Sequence, residues 1–149
     1  MAMTHTLWIH EIIEKAAKAK TRADKIKVFH ENDSWALKDV LRGTYDATIE
    51  WNLPEGKPPY EPAEERNVPS NLLKKNEQFT YFVKGGKGDK LIPAKRESMF
   101  IRLLEQIHPK DAEVLLLMKD KKTLAKGITK KLVAEAYPKL IREPERPKQ

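Results

Sequence analysis

The 149-residue chain is 40% apolar and 34% charged, has a net charge of +7 and contains no cysteine. That length suits one domain with a modest core, and the missing thiols exclude a disulfide scaffold and any thiolate-ligated metal. The longest apolar run, Val114–Met118, falls far short of a membrane span of about 20 residues, and Glu11 and Glu14 interrupt the only stretch resembling a signal peptide, so a soluble, intracellular-type protein is expected.

Trp8, Ile9, Ile12, Ile13, Ala16 and Ala17 recur at helical spacing and predict an amphipathic first helix. "TRAD" follows as a capped restart, with Thr21 as N-cap and Asp24 three residues on. The short second helix should turn Ile26 and Phe29 inward, and Asp33 or Ser34 should cap a third. That third helix buries Trp35 or Ala36 with Leu37, Val40 and Leu41, and Gly43 is its expected stop. Residues 51–69, "WNLPEGKPPYEPAEERNVP", hold five prolines and no periodicity, the pattern of an extended excursion pinned by Trp51, Leu53 and Tyr60.

A helix from Ser70 through Leu72 and Leu73 comes next, then "FTYFV" with strand composition and "KGGKGDK" (84–90) as a flexible, auxiliary hairpin tip. Residues 94–107 carry Met99, Phe100, Leu103, Leu104 and Ile107 on one helical face. His108-Pro109 restarts the chain into "AEVLLLM", apolar nearly all round and hence a buried central helix. The last helix should run from about Thr129 to Tyr137 and stop at Pro138, leaving residues 142–149 as a flexible tail after a single helical domain over 1–141. The fold class is therefore all-α: a compact helical bundle with a proline-rich excursion and room for one short β-hairpin.

The charge is unevenly placed. Residues 70–96 carry +5 and residues 119–149 carry +6, whereas 1–50 are neutral and 51–69 and 97–118 are each −2. Such asymmetry points to a polyanion, most often nucleic acid, or else to a basic face kept for solubility. His5, His10, His30 and His108 lack metal-ligand spacing and read as surface or capping residues. No paired carboxylates suggest acid–base catalysis, and Ser34, Ser70 and Ser98 sit where helices should start. The glycine loop lacks the spacing of a nucleotide-binding P-loop, but Lys84, Lys87 and Lys90 suit a phosphate backbone.

The stronger signal is "KDKKTLAKGITKKL", in which Lys119, Lys121, Lys122, Lys126, Lys130 and Lys131 surround Gly127 and the expected N-cap Thr129. Helix-start amides and a dense lysine cluster together suit phosphate; the alternative is a solvated face. Arg42, before Gly43 and Thr44, repeats this character on a smaller scale.

Residues 7–46, "LWIHEIIEKAAKAKTRADKIKVFHENDSWALKDVLRGTYD", resemble the opening of the helical N-terminal DNA-binding domain of ATP-dependent DNA ligases from T4-like phages. The stretch within 97–141, "DAEVLLLMKDKKTLAKGITKKLVAEAYPKLI", resembles its close. The chain also looks like a family of short proteins of T4-like phages and cyanophages. The resemblance implies a duplex-binding helical domain that grips phosphates across the minor groove. It does not imply ligation, because the nucleotidyltransferase signature Lys-x-Asp-Gly is absent.

The expectation is a non-enzymatic, cofactor-free phage protein that binds double-stranded DNA without sequence preference in replication, repair or packaging, in the cytoplasm of the infected host. The alternatives are a module docking on a host or phage protein through Trp51 and Tyr60, or a virion component.

Overall fold

The computed structural model describes residues 6–141; His5 and the expected tail, residues 142–149, lie outside the described residues. Among the described residues there are seven α-helices and no strand. They are α1 (Ile9–Lys18), α2 (Arg22–Glu31), α3 (Trp35–Tyr45), α4 (Leu72–Lys75), α5 (Pro93–Gln106), α6 (Pro109–Lys119) and α7 (Lys130–Ala136). Two 3₁₀ helices, Asn76–Tyr81 and Lys87–Lys90, complete the set. The all-α fold read from the sequence is the one observed.

Local chemistry starts most helices. Thr21 Oγ1 accepts from Asp24 N–H at 3.1 Å, Ser34 Oγ from Leu37 N–H at 3.0 Å and Thr129 Oγ1 from Leu132 N–H at 3.1 Å, each satisfying an orphan donor of a first turn. Asn71, not Ser70, caps α4 through Lys74 N–H, and Ser98 lies inside α5 rather than at its start.

Trp8 has no side-chain oxygen to cap α1. Its own N–H donates to Glu11 Oε1 at 2.9 Å, and the orphan N–H of His10 donates to Asp111 Oδ1 at 2.8 Å. A carboxylate from α6 thus caps α1 across the core.

Helix α6 is the centre, packing on α1, α3 and α5, with Ala112, Leu115 and Met118 fully buried. Phe29, Leu37, Leu41, Leu103, Leu104, Ile107 and Ile128 close around it in one apolar cluster. Of the two candidates at the start of α3, Ala36 is buried and Trp35 points outward, 72% exposed.

Three expectations are corrected. Gly43 does not end α3, which continues to Tyr45. A Cβ at Gly43 would stand 2.5 Å from the Trp51 ring and 3.0 Å from Met118 Sδ, so glycine serves the close approach of the excursion to the helix. Trp51 Nε1 then donates to the Gly43 carbonyl at 2.9 Å.

The "FTYFV" segment is not a strand. Phe79 and Phe82 are both buried, and three residues per turn in a 3₁₀ helix put i and i+3 on one side. No hairpin forms; the only ladder fragment among the described residues is the isolated bridge between Trp51 and Val83.

The glycine loop is not a free tip. Gly88 is buried, and a Cβ there would overlap the Tyr81 carbonyl oxygen. The Gly88 carbonyl accepts from Arg96 Nη1 at 3.1 Å. Arg96, 7% exposed, also donates to Asn52 O at 2.8 Å and Leu91 O at 3.1 Å, tying the excursion and the loop to α5. Removing this loop would take the Gly88 acceptor from a buried arginine.

Candidate nucleic-acid interface

The lysine-rich segment begins where α6 stops. Lys121 N–H donates to Met118 O at 3.1 Å and Lys122 N–H to Leu117 O at 2.9 Å, with Lys121 at φ 58°. This is a Schellman end in which lysine holds the left-handed position usually given to glycine. Lys121 Nζ donates to Asp46 O at 2.7 Å, which holds it there. Burial lowers the pKa of that ammonium, with Asp46 and Glu50 acting in the other direction.

Beyond it the chain is anchored from below. Leu124 and Ile128 are buried, and the Tyr45 hydroxyl donates to Ile128 O at 2.7 Å and accepts from Leu124 N–H at 3.2 Å. Burial raises the Tyr45 pKa, so the phenol stays protonated and able to donate. Gly127 turns with φ 86°, and Lys25 Nζ comes within 3.3 Å of where a Cβ would stand. That ammonium already donates to Ala16 O at 3.2 Å and Ala17 O at 3.0 Å at the end of α1.

The anchored segment displays Lys122, Lys126 and Lys131, all exposed and without a carboxylate within 4 Å among the described residues. Thr129 is exposed and caps α7. Lys130 is half-buried beside a groove of about 700 Å³ that it shares with Lys84 and Lys121. This groove joins the two basic blocks of the sequence. It is also lined by Lys119 and by Asp46, Glu50, Glu55 and Asp120, so its four lysines meet four carboxylates, and the excess positive charge lies on the ridge beside it.

Lys119 is not part of that ridge. Its side chain is 1% exposed, and Nζ donates to Pro54 O and Gly56 O at 2.9 Å each and to Asp120 Oδ1 at 2.6 Å. A lysine expected to meet phosphate instead fastens the proline-rich excursion to the end of α6. Arg42 lies 3.6 Å from the buried Asp46 carboxylate and is only partly available. Lys84 pairs with Glu50 at 3.3 Å, both exposed. Lys87 and Lys90 are exposed on the 3₁₀ turn that Arg96 clamps.

The residues assigned to protein docking are largely used within the chain. Trp51 packs against Gly43 and edge-on to Phe79 at 5.8 Å. Tyr60 packs against the core, with Lys57 Nζ 5.6 Å from its ring centroid. Its pKa is raised by burial first and Glu113 second.

A buried polar cluster escaped the sequence reading. His10 Nδ1 lies 2.8 Å from Asp111 Oδ1, and the His10 and His108 rings are 4.4 Å apart. His108 Nδ1 accepts from Lys110 N–H at 3.1 Å, as expected of a cap, but His10 is buried rather than superficial. Burial raises the Asp111 pKa, opposed by the His10 hydrogen bonds. Among the described residues no group of three or more His, Cys, Asp or Glu could hold a metal ion, and no helix is long and apolar enough to cross a membrane.

A protein-family model described as a family of unknown function, DUF6433, matches residues 12–126. That span runs from α1 through the turn bearing Lys126. No curated protein matches the chain.

Proposed function

We propose that this chain, which belongs to the DUF6433 family, is a non-enzymatic protein that binds double-stranded DNA without reading its sequence. The observation that carries this reading is the anchored ridge of Lys122, Lys126 and Lys131, exposed and, among the described residues, without a carboxylate within 4 Å, beside the Gly127–Thr129 turn. Like charges gathered on one anchored segment repel one another in the free protein and are relieved by a polyanion. Lys84, Lys87 and Lys90 add a second contact zone, and Lys130 and Lys121 border the first. The similarity to the ligase DNA-binding domain supports the same assignment, together with a phage origin, a role in replication, repair or packaging, and action in the host cytoplasm.

Changing Lys122, Lys126 and Lys131 together to Gln tests it. Losing three phosphate contacts at a slope of about −0.9 each predicts roughly 500-fold weaker duplex binding at 0.1 M salt. Unchanged binding would make the ridge an ordinary solvated face. The docking reading would then rest on the exposed parts of the excursion, since Trp51 is committed internally.

A further inference from the structure

Trp35 opens α3 and is 72% exposed, so a large aromatic side chain is open to contact from solvent. Lys38 and Arg42 lie three and seven residues on, along the same stripe of the helix. Tyr137, Lys139 and Leu140, which follow α7, form the opposite wall of a groove of about 500 Å³, within the roughly 300–1,000 Å³ of small-ligand sites. The Tyr137 ring is fixed, its single hydroxyl proton shared between Asp33 Oδ1 at 3.0 Å and Phe29 O at 3.2 Å. Lys38 Nζ sits 4.2 Å from the Trp35 ring centroid and 3.6 Å from Asp33 Oδ2. Three cations, Lys38 shared with Asp33, Arg42 shared with the buried Asp46, and Lys139, therefore surround an open aromatic surface.

We infer that this groove receives an unpaired nucleotide, its base stacked on Trp35 and its phosphate held by Lys38, Arg42 and Lys139. An aromatic ligand with a flat face and a negative charge matches both halves of the groove. The site and the lysine ridge lie at opposite ends of α7. Tyr45 at one end of α3 holds Ile128, just before α7, and Trp35 at the other end faces Tyr137, just after it. Helices α3 and α7 thus run antiparallel, and the seven residues of α7, Lys130–Ala136, span about 10 Å between the two sites, or about three base steps. The inference rests on the DNA-binding reading and sharpens it: the preferred substrate is a duplex interrupted by unpaired bases.

The test uses a fluorescein-labelled duplex with a central gap of unpaired thymidines, the matching continuous duplex, and full-chain protein at fixed salt. The parent should bind the gapped duplex more tightly. Trp35→Ala should lose between about 5- and 150-fold on the gapped duplex alone, and Trp35→Phe should retain most of the binding. Equal loss on both duplexes, or no loss, overturns the stacking site and leaves duplex binding standing. Failure of the parent to bind either duplex overturns both. Gap binding that depends on Trp35, with no binding to the continuous duplex, would retain the site and discard the duplex reading. If an acidic, tyrosine-containing peptide binds with the same Trp35 dependence and gapped DNA does not, the occupant is a protein and the inference falls.

Discussion

Lys119→Met separates a lysine that holds the fold from lysines available to an anion. Methionine keeps the apolar stem and removes three hydrogen bonds, to Pro54 O, Gly56 O and Asp120 Oδ1. Charge-assisted bonds contribute about 1.5–3 kcal/mol each. Against this stands a desolvation penalty of several kcal/mol for an ammonium that is taken out of water. Pro54 and Gly56 are exposed, so their carbonyls can regain water. The net loss should be about 2–3 kcal/mol, which lowers the urea midpoint by roughly 1 M. Urea unfolding followed by tryptophan fluorescence reads this directly, and duplex titrations on the folded variant give the salt slope. The slope should match the parent, whereas Lys126→Gln should lower it by about 0.9 and change stability by less than about 0.5 kcal/mol. A stable Lys119→Met protein with a reduced slope would refute the division.

Other substitutions test the remaining contacts. Gly88→Ala must displace the Tyr81 carbonyl and should cost about 3 kcal/mol. Gly85→Ala, where only φ 86° resists and no atom lies within 4 Å, should cost about 1 kcal/mol; calorimetry compares the two. Thr129→Ala should lower stability by about 1 kcal/mol through the lost cap, while duplex titration shows little change. His108 titrates below its usual 6.5, first through burial and then through His10 and Lys110, opposed by Asp111 and Glu65. The unfolded chain therefore binds that proton more readily, so stability is full above about pH 6.5 and falls as pH drops through that value toward the lowered folded pKa. Melting temperatures at pH 7.5 and 5.5 should show this fall, and His108→Asn, which keeps a capping side chain, should reduce it.

Much of the fold was legible because its signals are local. Thr21, Ser34 and Thr129 cap where their hydroxyls can reach the next amides, the apolar periods of α1 and α5 specify their buried faces, and the near-continuous apolar run of α6 marks it as the central helix. What was not legible depended on distant partners. Gly43 looks like a helix stop, but its missing side chain makes room for Trp51. Phe79 and Phe82 fit the period of a 3₁₀ helix, yet their β-prone neighbours resemble a strand. Within the charge run, Lys119 is indistinguishable from Lys122 until the excursion folds back over it and supplies its carbonyls. Arg96 likewise gave no sign of its burial, because its acceptors are backbone oxygens of remote loops. The ridge itself was legible as charge, but its anchoring by Tyr45 was not.

The measurement that bears most directly on DNA binding is the salt dependence of affinity for a short continuous duplex. With four phosphates engaged, log K should fall against log salt with a slope near −3.6, a loss of roughly 150-fold between 50 and 200 mM. A flat dependence, or no binding at 50 mM salt, would contradict the account.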